Sequence, residues 1–189
     1  MLMAFFRVLR WQVGGPKAAD ELVYDIPSIG QFALTIVGHV LCTEIWFYWI
    51  HRSLHFNKWL HRKVHSIHHK YKAPSCLESV YVHPVEFLLN SFPVLLVGAL
   101  VTGAHLVTLW MWLWMATFLQ VHDHSGYWLP FLPRVLMHDY HHQNVDFCFG
   151  ILGLMDAIFG TEGGFQEFVR KHEHTSVPEI GSPPTAKTK

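Results

Sequence analysis

Apolar residues dominate two long stretches of the chain. Residues 29–50 are mostly apolar, and as an α-helix they would be about 33 Å long, enough to cross the hydrocarbon core of a bilayer. Residues 85–121 are too long for one crossing and are interrupted by Pro93, Gly98 and Gly103. We expect two crossings of about seventeen residues each that turn near Gly103. This pattern predicts an all-α, multi-pass membrane helical bundle.

Charged residues predict the orientation of these helices. Residues 52–72, which follow the first apolar stretch, contain six Lys or Arg residues, and clustered positive charge beside a crossing marks the cytoplasmic side. Because two further crossings return the chain to its starting side, the residues after 121 are also expected in the cytosol. Within the first crossing, His39 is interpreted as a packed polar residue at a helix contact. Glu44 lies one heptad before His51 and should share its helix face.

The remaining segments are shorter or more polar. Residues 1–28 predict an amphipathic interfacial segment, because Arg7 and Arg10 interrupt the apolar run and no small-residue cleavage site follows. Residues 126–133 read as a proline-limited loop, and residues 149–160 as a short apolar segment packed on the site or at the membrane interface. The tail, residues 173–189, is rich in Pro, Ser, Thr and Lys and predicts disorder.

Composition agrees with a membrane protein. The chain is 51% hydrophobic and 15% charged, with 8 Trp and 14 Phe, which is typical of proteins with interfacial aromatic residues. The formal charge is zero, so nothing in it indicates a nucleic-acid partner. The three cysteines lack CxxC spacing and are interpreted as free thiols.

Histidine spacing is the main chemical signal. Eleven of the 16 histidines fall within residues 51–69 and 122–142, where they form the motifs HRSLH, HSIHH and HDYHH. Residues three and four apart share a helix face, so each motif should direct its imidazoles to one spot. Eight imidazoles are too many for one ion with open positions and suit two ions with about four each. The predicted ligands are His51, His55, His65, His68, His69, His138, His141 and His142.

Other side chains are open candidates. His124 is a plausible ninth ligand, and His122 is a weaker one because it lies only two residues away. His61 and His83 could be ligands, supporting residues or surface residues. Carboxylates that could accept a hydrogen bond from a ligand imidazole are Glu44, Glu78, Glu86, Asp139 and Asp146.

Spacing alone leaves other uses of the histidines open. Clustered histidines in a membrane protein also serve as pH sensors or metal-transport sites. Transport sites normally lie near the bilayer midplane, whereas these motifs lie just outside the crossings. A catalytic dimetal site is therefore favoured. Imidazole ligands accept zinc as readily as iron.

The motifs resemble the fatty acid hydroxylase/sterol desaturase superfamily, whose signature is HxxxH, HxxHH and HxxHH with apolar spans between. Here they read HRSLH (51–55), HSIHH (65–69) and HDYHH (138–142), with YVHPVE, HSGYWLPFLP and FGILGLMDAIFGTE as supporting context. The resemblance covers about residues 29–172, which it marks as the catalytic membrane domain. The chain looks most similar to the fatty acid hydroxylase domain-containing, 4-methylsterol-oxidase-like branch. Relatives of this kind usually have more sequence before the segment 29–50.

The resemblance implies an endoplasmic reticulum oxidoreductase with a non-haem diiron centre. Family members use dioxygen and electrons from NAD(P)H, delivered by a b-type cytochrome and its reductase, to oxidise lipid C–H bonds. The eight motif histidines and His124 carry over as metal ligands. A 4-methylsterol is the expected substrate. The alternative within the same family is hydroxylation or desaturation of a fatty-acyl or sphingoid lipid. A non-catalytic metal-binding regulator and a metal transporter are further alternatives.

Overall fold

All regular structure in the described part of the chain is helical. The computed structural model describes residues 26–72, 75–127 and 135–172. Within these ranges no β-strand occurs, so the predicted all-α class is confirmed there. The predicted interfacial segment 1–28 and tail 173–189 lie almost entirely outside the described residues, as does most of the predicted loop 126–133.

Seven helices and two 3₁₀ turns make up the fold of the described residues. In chain order they are α1 (Ile29–Phe56), α2 (Lys58–Lys63), 3₁₀ turns at His65–Lys70 and Cys76–Val80, α3 (Pro84–Thr102, with a π turn at Phe87–Ser91), α4 (Leu106–Asp123), α5 (Leu136–Gln143), α6 (Leu154–Phe159) and α7 (Phe165–His172). The predicted first crossing and the HRSLH motif thus form one continuous helix.

Capping residues set the ends of α1. Ser28 and Gln31 form a capping box at its start, where the Ser28 hydroxyl accepts from the Gln31 backbone N–H. Asn57 ends α1 and caps α2, since its Oδ1 accepts from the backbone N–H groups of Trp59 and Leu60 at 3.0 and 3.1 Å. The chain therefore bends directly after the HRSLH motif and brings the next histidines back towards it.

The turn between α3 and α4 falls where the sequence predicts it. Gly103 ends α3 with φ of 61°, a left-handed conformation that glycine adopts without steric cost. His105 then caps α4, because its Nδ1 accepts from the Val107 N–H at 3.1 Å. Together these two residues reverse the chain within a few positions.

Helices α1 and α3 pack closely because Gly98 has no side chain. A Cβ at Gly98 would lie 2.6 Å from the Cα of His39. His39 is buried there, contacts Trp112 of α4 with ring centroids 5.3 Å apart, and has its Nδ1 2.7 Å from the Thr35 carbonyl oxygen. The interpretation of His39 as a packed polar residue at a helix contact is confirmed.

The exterior of the long helices is apolar. α1 and α3 are long and apolar enough to cross a membrane, and only 22% and 28% of their most apolar windows are buried. The exposed apolar side chains include Leu34, Val37, Leu41, Ile45, Leu88, Leu100 and Val101. A soluble protein rarely exposes so much contiguous apolar surface. The arrangement thus favours a membrane environment.

The third predicted crossing, α4, does not meet the same criterion as α1 and α3. Gln120, His122 and Asp123 fall within its eighteen residues and lower its mean hydropathy. Its outer face is nevertheless apolar, with Trp110, Met111, Trp114 and Phe118 exposed. These three polar residues lie together at the end of α4 that approaches the histidines.

Candidate metal centre

Nine histidines converge into two adjacent clusters. The first histidine cluster consists of His51, His55, His65, His69 and His141, and the second of His68, His124, His138 and His142. Within each cluster, one nitrogen from every imidazole lies within 4.8 Å of all the others. The structure therefore brings together all eight motif histidines and His124. They come from α1, the first 3₁₀ turn, the end of α4, and α5.

The two HxxHH motifs divide between the clusters, which differs from the expectation of one spot per motif. His65 and His69 enter the first cluster while His68 enters the second. In the other motif, His141 enters the first cluster while His138 and His142 enter the second. Adjacent residues on a helical turn point about 100° apart, so HH pairs naturally face two neighbouring centres. Only HRSLH contributes both imidazoles to one cluster.

The spacing of the nitrogens suits metal coordination. Neighbouring Nε2 atoms lie 2.9–3.2 Å apart in the first cluster and 2.8–3.4 Å apart in the second. Metal–imidazole bonds are about 2.0–2.1 Å long, so two nitrogens on one ion lie roughly 2.9–3.4 Å apart. The observed separations match those of ligands sharing an ion.

Backbone carbonyls that contact the Nδ1 atoms determine which tautomer the imidazoles adopt. The Nδ1 atoms of His51 and His141 lie 2.8 and 2.7 Å from the carbonyl oxygens of Phe149 and Phe147. A carbonyl only accepts, so Nδ1 carries the proton and Nε2 presents a lone pair to the cluster. Similar contacts join His124 to the Gln120 carbonyl and His142 to the Tyr71 carbonyl.

Converging lone pairs need a cation between them. His51 and His65 both have their Nδ1 protons committed elsewhere, yet their Nε2 atoms are 3.1 Å apart. Two unprotonated nitrogens cannot hydrogen-bond to each other and would repel. The donor set therefore fits a bound metal ion better than a hydrogen-bonded network of imidazoles.

Glu86 supports the first cluster. Its Oε1 lies 2.7 Å from Nδ1 of His65, and both side chains are almost fully buried. Of the five carboxylates considered from sequence, Glu86 makes this contact with a cluster histidine. Glu86 lies in the first turn of α3, so this end of the helix contacts the first cluster.

Two further carboxylates hold the segment that supplies the carbonyl acceptors. Glu44 accepts from the backbone N–H groups of Ile151, Leu152 and Met155 at 2.9–3.2 Å. Asp156 accepts from the N–H groups of Phe149 and Gly150 at 2.9 and 2.7 Å. Glu44 and Asp156 thus support the imidazoles indirectly, through the backbone of residues 149–155. Histidine spacing does not indicate the role of Asp156. Its sequence signal is an acid inside the apolar run FGILGLMDAIFG.

Burial keeps the imidazoles outside the membrane-length helices neutral. Burial, followed by the electrostatic effect of the neighbouring His124, lowers the pKa of His142 to about 4. Burial and neighbouring imidazoles also hold the pKa values of His65, His138 and His141 well below the ordinary value of 6.5. Neutral imidazoles bind metal without first losing a proton.

Besides His39, four histidines whose side chains the structure describes lie outside the clusters. His122 is buried but belongs to neither, with Nδ1 3.7 Å from an Asp123 carboxylate oxygen. His61 contacts the ring of His55 at 5.2 Å between centroids without joining the cluster. His83 and His105 act as helix caps.

A mostly apolar cavity of about 120 Å³ opens onto both clusters. Its walls include His51 and His65 of the first cluster and His68, His124 and His138 of the second. Away from the histidines it is lined by side chains of α1, α3 and α4, among them Phe47, Val94, Leu95, Trp112 and Leu119. An apolar molecule held between these helices would lie against the histidines.

The fold and site define a helical protein with a candidate dinuclear metal centre formed by histidines. The family model described as Fatty acid hydroxylase matches residues 36–161. This chain belongs to the fatty acid hydroxylase family, as its motifs predict.

Relatives with curated descriptions carry several names. The chain is 33% identical over 174 residues to fatty acid hydroxylase domain-containing protein 2 of Homo sapiens, covering 92% of this chain and 50% of that protein. It is 38% identical over 155 residues to methylsterol monooxygenase 2-2 of Arabidopsis thaliana (76% and 58%). It is 40% identical over 143 residues to very-long-chain aldehyde decarbonylase GL1-11 of Oryza sativa subsp. japonica (69% and 53%).

The chain spans about half the length of the curated relatives it matches. No solved structure gives a significant match. The family model and these relatives establish the family. The relatives' names differ in the reaction that they state.

Proposed function

We propose that this chain is a membrane-bound non-haem diiron oxidoreductase of the endoplasmic reticulum that hydroxylates a lipid C–H bond, with a 4-methylsterol as substrate. The observation that carries this proposal is the pair of convergent imidazole clusters facing one apolar cavity between apolar-surfaced helices. The methylsterol monooxygenases among the relatives favour the sterol.

The residues of the site would have distinct tasks. The first and second histidine clusters would each hold one ion, and reduced iron bound there would supply the activation of dioxygen. The carbonyl contacts of His51 and His141 fix the imidazole rings, and Glu86 fixes His65. The apolar walls keep water from the reacting carbon and orient the lipid.

The reaction needs an external supply of electrons. Each hydroxylation consumes one dioxygen, two electrons and two protons, places one oxygen atom in the C–H bond and releases the other as water. NAD(P)H would supply the electrons through a b-type cytochrome and its reductase. An exposed basic surface beside the first cluster offers a docking area for an acidic carrier; it comprises Lys58, Arg62, Lys63, Lys70 and Lys72.

A lipid mass-spectrometry profile tests the proposal. Cells lacking the protein would be compared with cells given back this chain or its His138→Ala form. We expect 4-methylsterols to accumulate without the protein and to fall on rescue, and His138→Ala to abolish rescue because the second cluster loses a ligand. Gln143→Ala, an exposed change on the same helix, is the matched control and should rescue fully.

The same profile separates the alternatives. A change confined to hydroxylated or desaturated acyl or sphingoid lipids would replace the sterol with the second substrate class. Metal analysis of the purified protein, with two ions expected per chain, identifies iron or zinc. Two bound ions with no change in any lipid, or metal flux without oxygen consumption, would contradict the oxidase.

A further inference from the structure

The cavity beside the clusters contains buried polar atoms that the metal centre does not use. Asn90 is 2% exposed and Trp112 is 3% exposed, and both line the cavity. Within the described part of the chain, Asn90 Oδ1 and Trp112 Nε1 have no hydrogen-bond partner. Burying an unpaired polar group costs free energy. A partner supplied by the substrate would remove that cost.

A π turn in α3 lets residues on both sides of it line this cavity. Glu86, Asn90, Val94 and Leu95 all line it, although Glu86 and Leu95 would point about 180° apart in a regular α-helix. The π turn at Phe87–Ser91 adds one residue to a turn and rotates the following helix, so that these residues share one wall. Such π turns occur frequently at functional sites.

Two side chains of α1 hold the π turn and the residues that follow it in place. The Trp46 Nε1–H donates to the Leu89 carbonyl oxygen at 3.1 Å, and the Thr43 hydroxyl donates to the Val94 carbonyl oxygen at 3.2 Å. These contacts give two backbone carbonyls a partner outside their own helix. The position of Asn90 is thus fixed by neighbouring residues, while its own Oδ1 stays free for a ligand.

The two unpaired atoms have complementary chemistry. Asn90 Oδ1 accepts a hydrogen bond, whereas Trp112 Nε1–H donates one. A hydroxyl group both donates and accepts, and a ketone or aldehyde oxygen only accepts. A hydroxyl is therefore the functional group whose chemistry matches both atoms.

We propose that Asn90 and Trp112 form a polar recognition site that binds the hydroxyl group of an alcohol lipid and thereby places the neighbouring carbon at the metal centre. This inference rests on the proposed oxidase function and deepens it. Asn90 determines substrate specificity, because it binds the polar end of a lipid whose remaining surface is apolar. In a 4-methylsterol, the 3-hydroxyl is next to the carbon that bears the reacting methyl group.

Binding of three matched sterols tests the recognition site without requiring turnover. The purified chain in nanodiscs would be titrated with radiolabelled 4,4-dimethylsterols that carry a 3β-hydroxyl, a 3-ketone or no oxygen at C3. We expect the alcohol to bind about ten-fold more tightly than the 3-deoxy sterol, as one additional buried hydrogen bond to each atom allows. The ketone should bind more weakly than the alcohol.

Asn90→Leu should abolish the discrimination between alcohol and ketone, because only the Trp112 N–H, which donates to both, remains. This variant should bind the 3-deoxy sterol as before and retain part of the preference for the alcohol over it. Its thermal unfolding midpoint without lipid should be equal to or above that of the wild type, because leucine removes an unpaired polar atom at similar volume. A loss of stability would instead assign Asn90 a structural role and overturn the proposal. Val94→Leu, at an apolar position of the same wall, is the control and should weaken all three sterols alike.

The outcomes distinguish the recognition site from the proposed function. If wild-type protein binds all three sterols equally, the recognition site is overturned while the oxidase proposal stands. If no sterol binds but a hydroxylated long-chain lipid does so in an Asn90-dependent way, the sterol substrate is overturned and the recognition site stands. Equal binding of alcohol and ketone also contradicts the site.

Discussion

At the scale of single residues, the metal affinity of the proposed centre would depend on groups that do not touch the ions. Glu86 accepts from His65 and so fixes both the orientation and the tautomer of that ligand. Side chains in this position typically change metal affinity by about 10- to 100-fold when removed. The carboxylate of Glu86 is therefore a sharper test of the centre than another ligand deletion.

We predict that Glu86→Leu lowers metal affinity of the first cluster by about 10- to 100-fold. Glu86→Gln should lose less, because its amide oxygen still accepts from His65. Competition with a chelator, followed by metal analysis, measures both. Glu167→Gln, which alters an exposed carboxylate paired with Lys171, is the control. Wild-type affinity in Glu86→Leu would contradict the assigned contact.

Cys148 reports on the segment that carries the Phe147 and Phe149 carbonyls. Burial, then the nearby carboxylates of Asp156 and Glu162, raises the pKa of its thiol from 9.0 to about 12. A raised pKa keeps the thiol protonated and unreactive, since the thiolate is the nucleophile. Its thiolate fraction at pH 8 is then on the order of 10⁻⁴, against about 10⁻¹ for an ordinary thiol.

We therefore predict that iodoacetamide at pH 8 alkylates Cys148 at least about 10³-fold more slowly than the exposed Cys76. Peptide mass spectrometry over time gives both rates. In denaturant the two thiols should react at comparable rates. Similar rates in the folded protein would show that the segment is not packed as described.

At the scale of helices, the sequence predicts the positions of the helices better than it predicts which cluster each histidine joins. Apolar length and the glycine turn are enough to place α1 and the α3–α4 hairpin, because both depend on local preferences. The division of each HxxHH motif between two clusters depends on how separate turns meet. The carbonyl partners of His51 and His141 belong to the backbone. Every residue has a backbone carbonyl, so the sequence does not identify these partners.

Close packing of α1 against α3 gives a stability prediction. Gly98→Ala would place a Cβ 2.6 Å from the backbone of His39, and backbone cannot rotate away as a side chain can. We expect the variant to lose roughly 1–3 kcal/mol of stability despite the better helix propensity of alanine. Thermal unfolding in detergent measures the change.

Gly30→Ala is the matched control for Gly98→Ala. It changes another glycine in a membrane-length helix, yet an added Cβ there has nothing within 4 Å. Its unfolding midpoint should equal or exceed that of the wild type. Equal midpoints for the two alanine variants would contradict the close helix contact.

At the scale of the whole molecule, the site requires separated segments to meet on one side of the membrane. α1 is 28 residues long, or about 42 Å, and exceeds the hydrocarbon core by roughly 12 Å. This excess carries His51 and His55 out to meet the later histidines. The even number of crossings predicted between the two histidine regions places both regions on the same side of the membrane.

The orientation of α1 can be tested with cysteines at its two sides. In sealed microsomes we predict that a membrane-impermeant maleimide labels the exposed Cys76 of the natural chain and that Cys76→Ser abolishes this labelling. In the Cys76→Ser background, Ile26→Cys introduces a thiol at an exposed position just before α1. It should be labelled only after permeabilisation, because a helix with cationic residues at its far end crosses with that end in the cytosol.

Labelling of both positions in sealed vesicles would mean that α1 lies on the membrane without crossing it. Labelling of Ile26→Cys alone would invert the orientation and place the histidines away from a cytosolic electron donor.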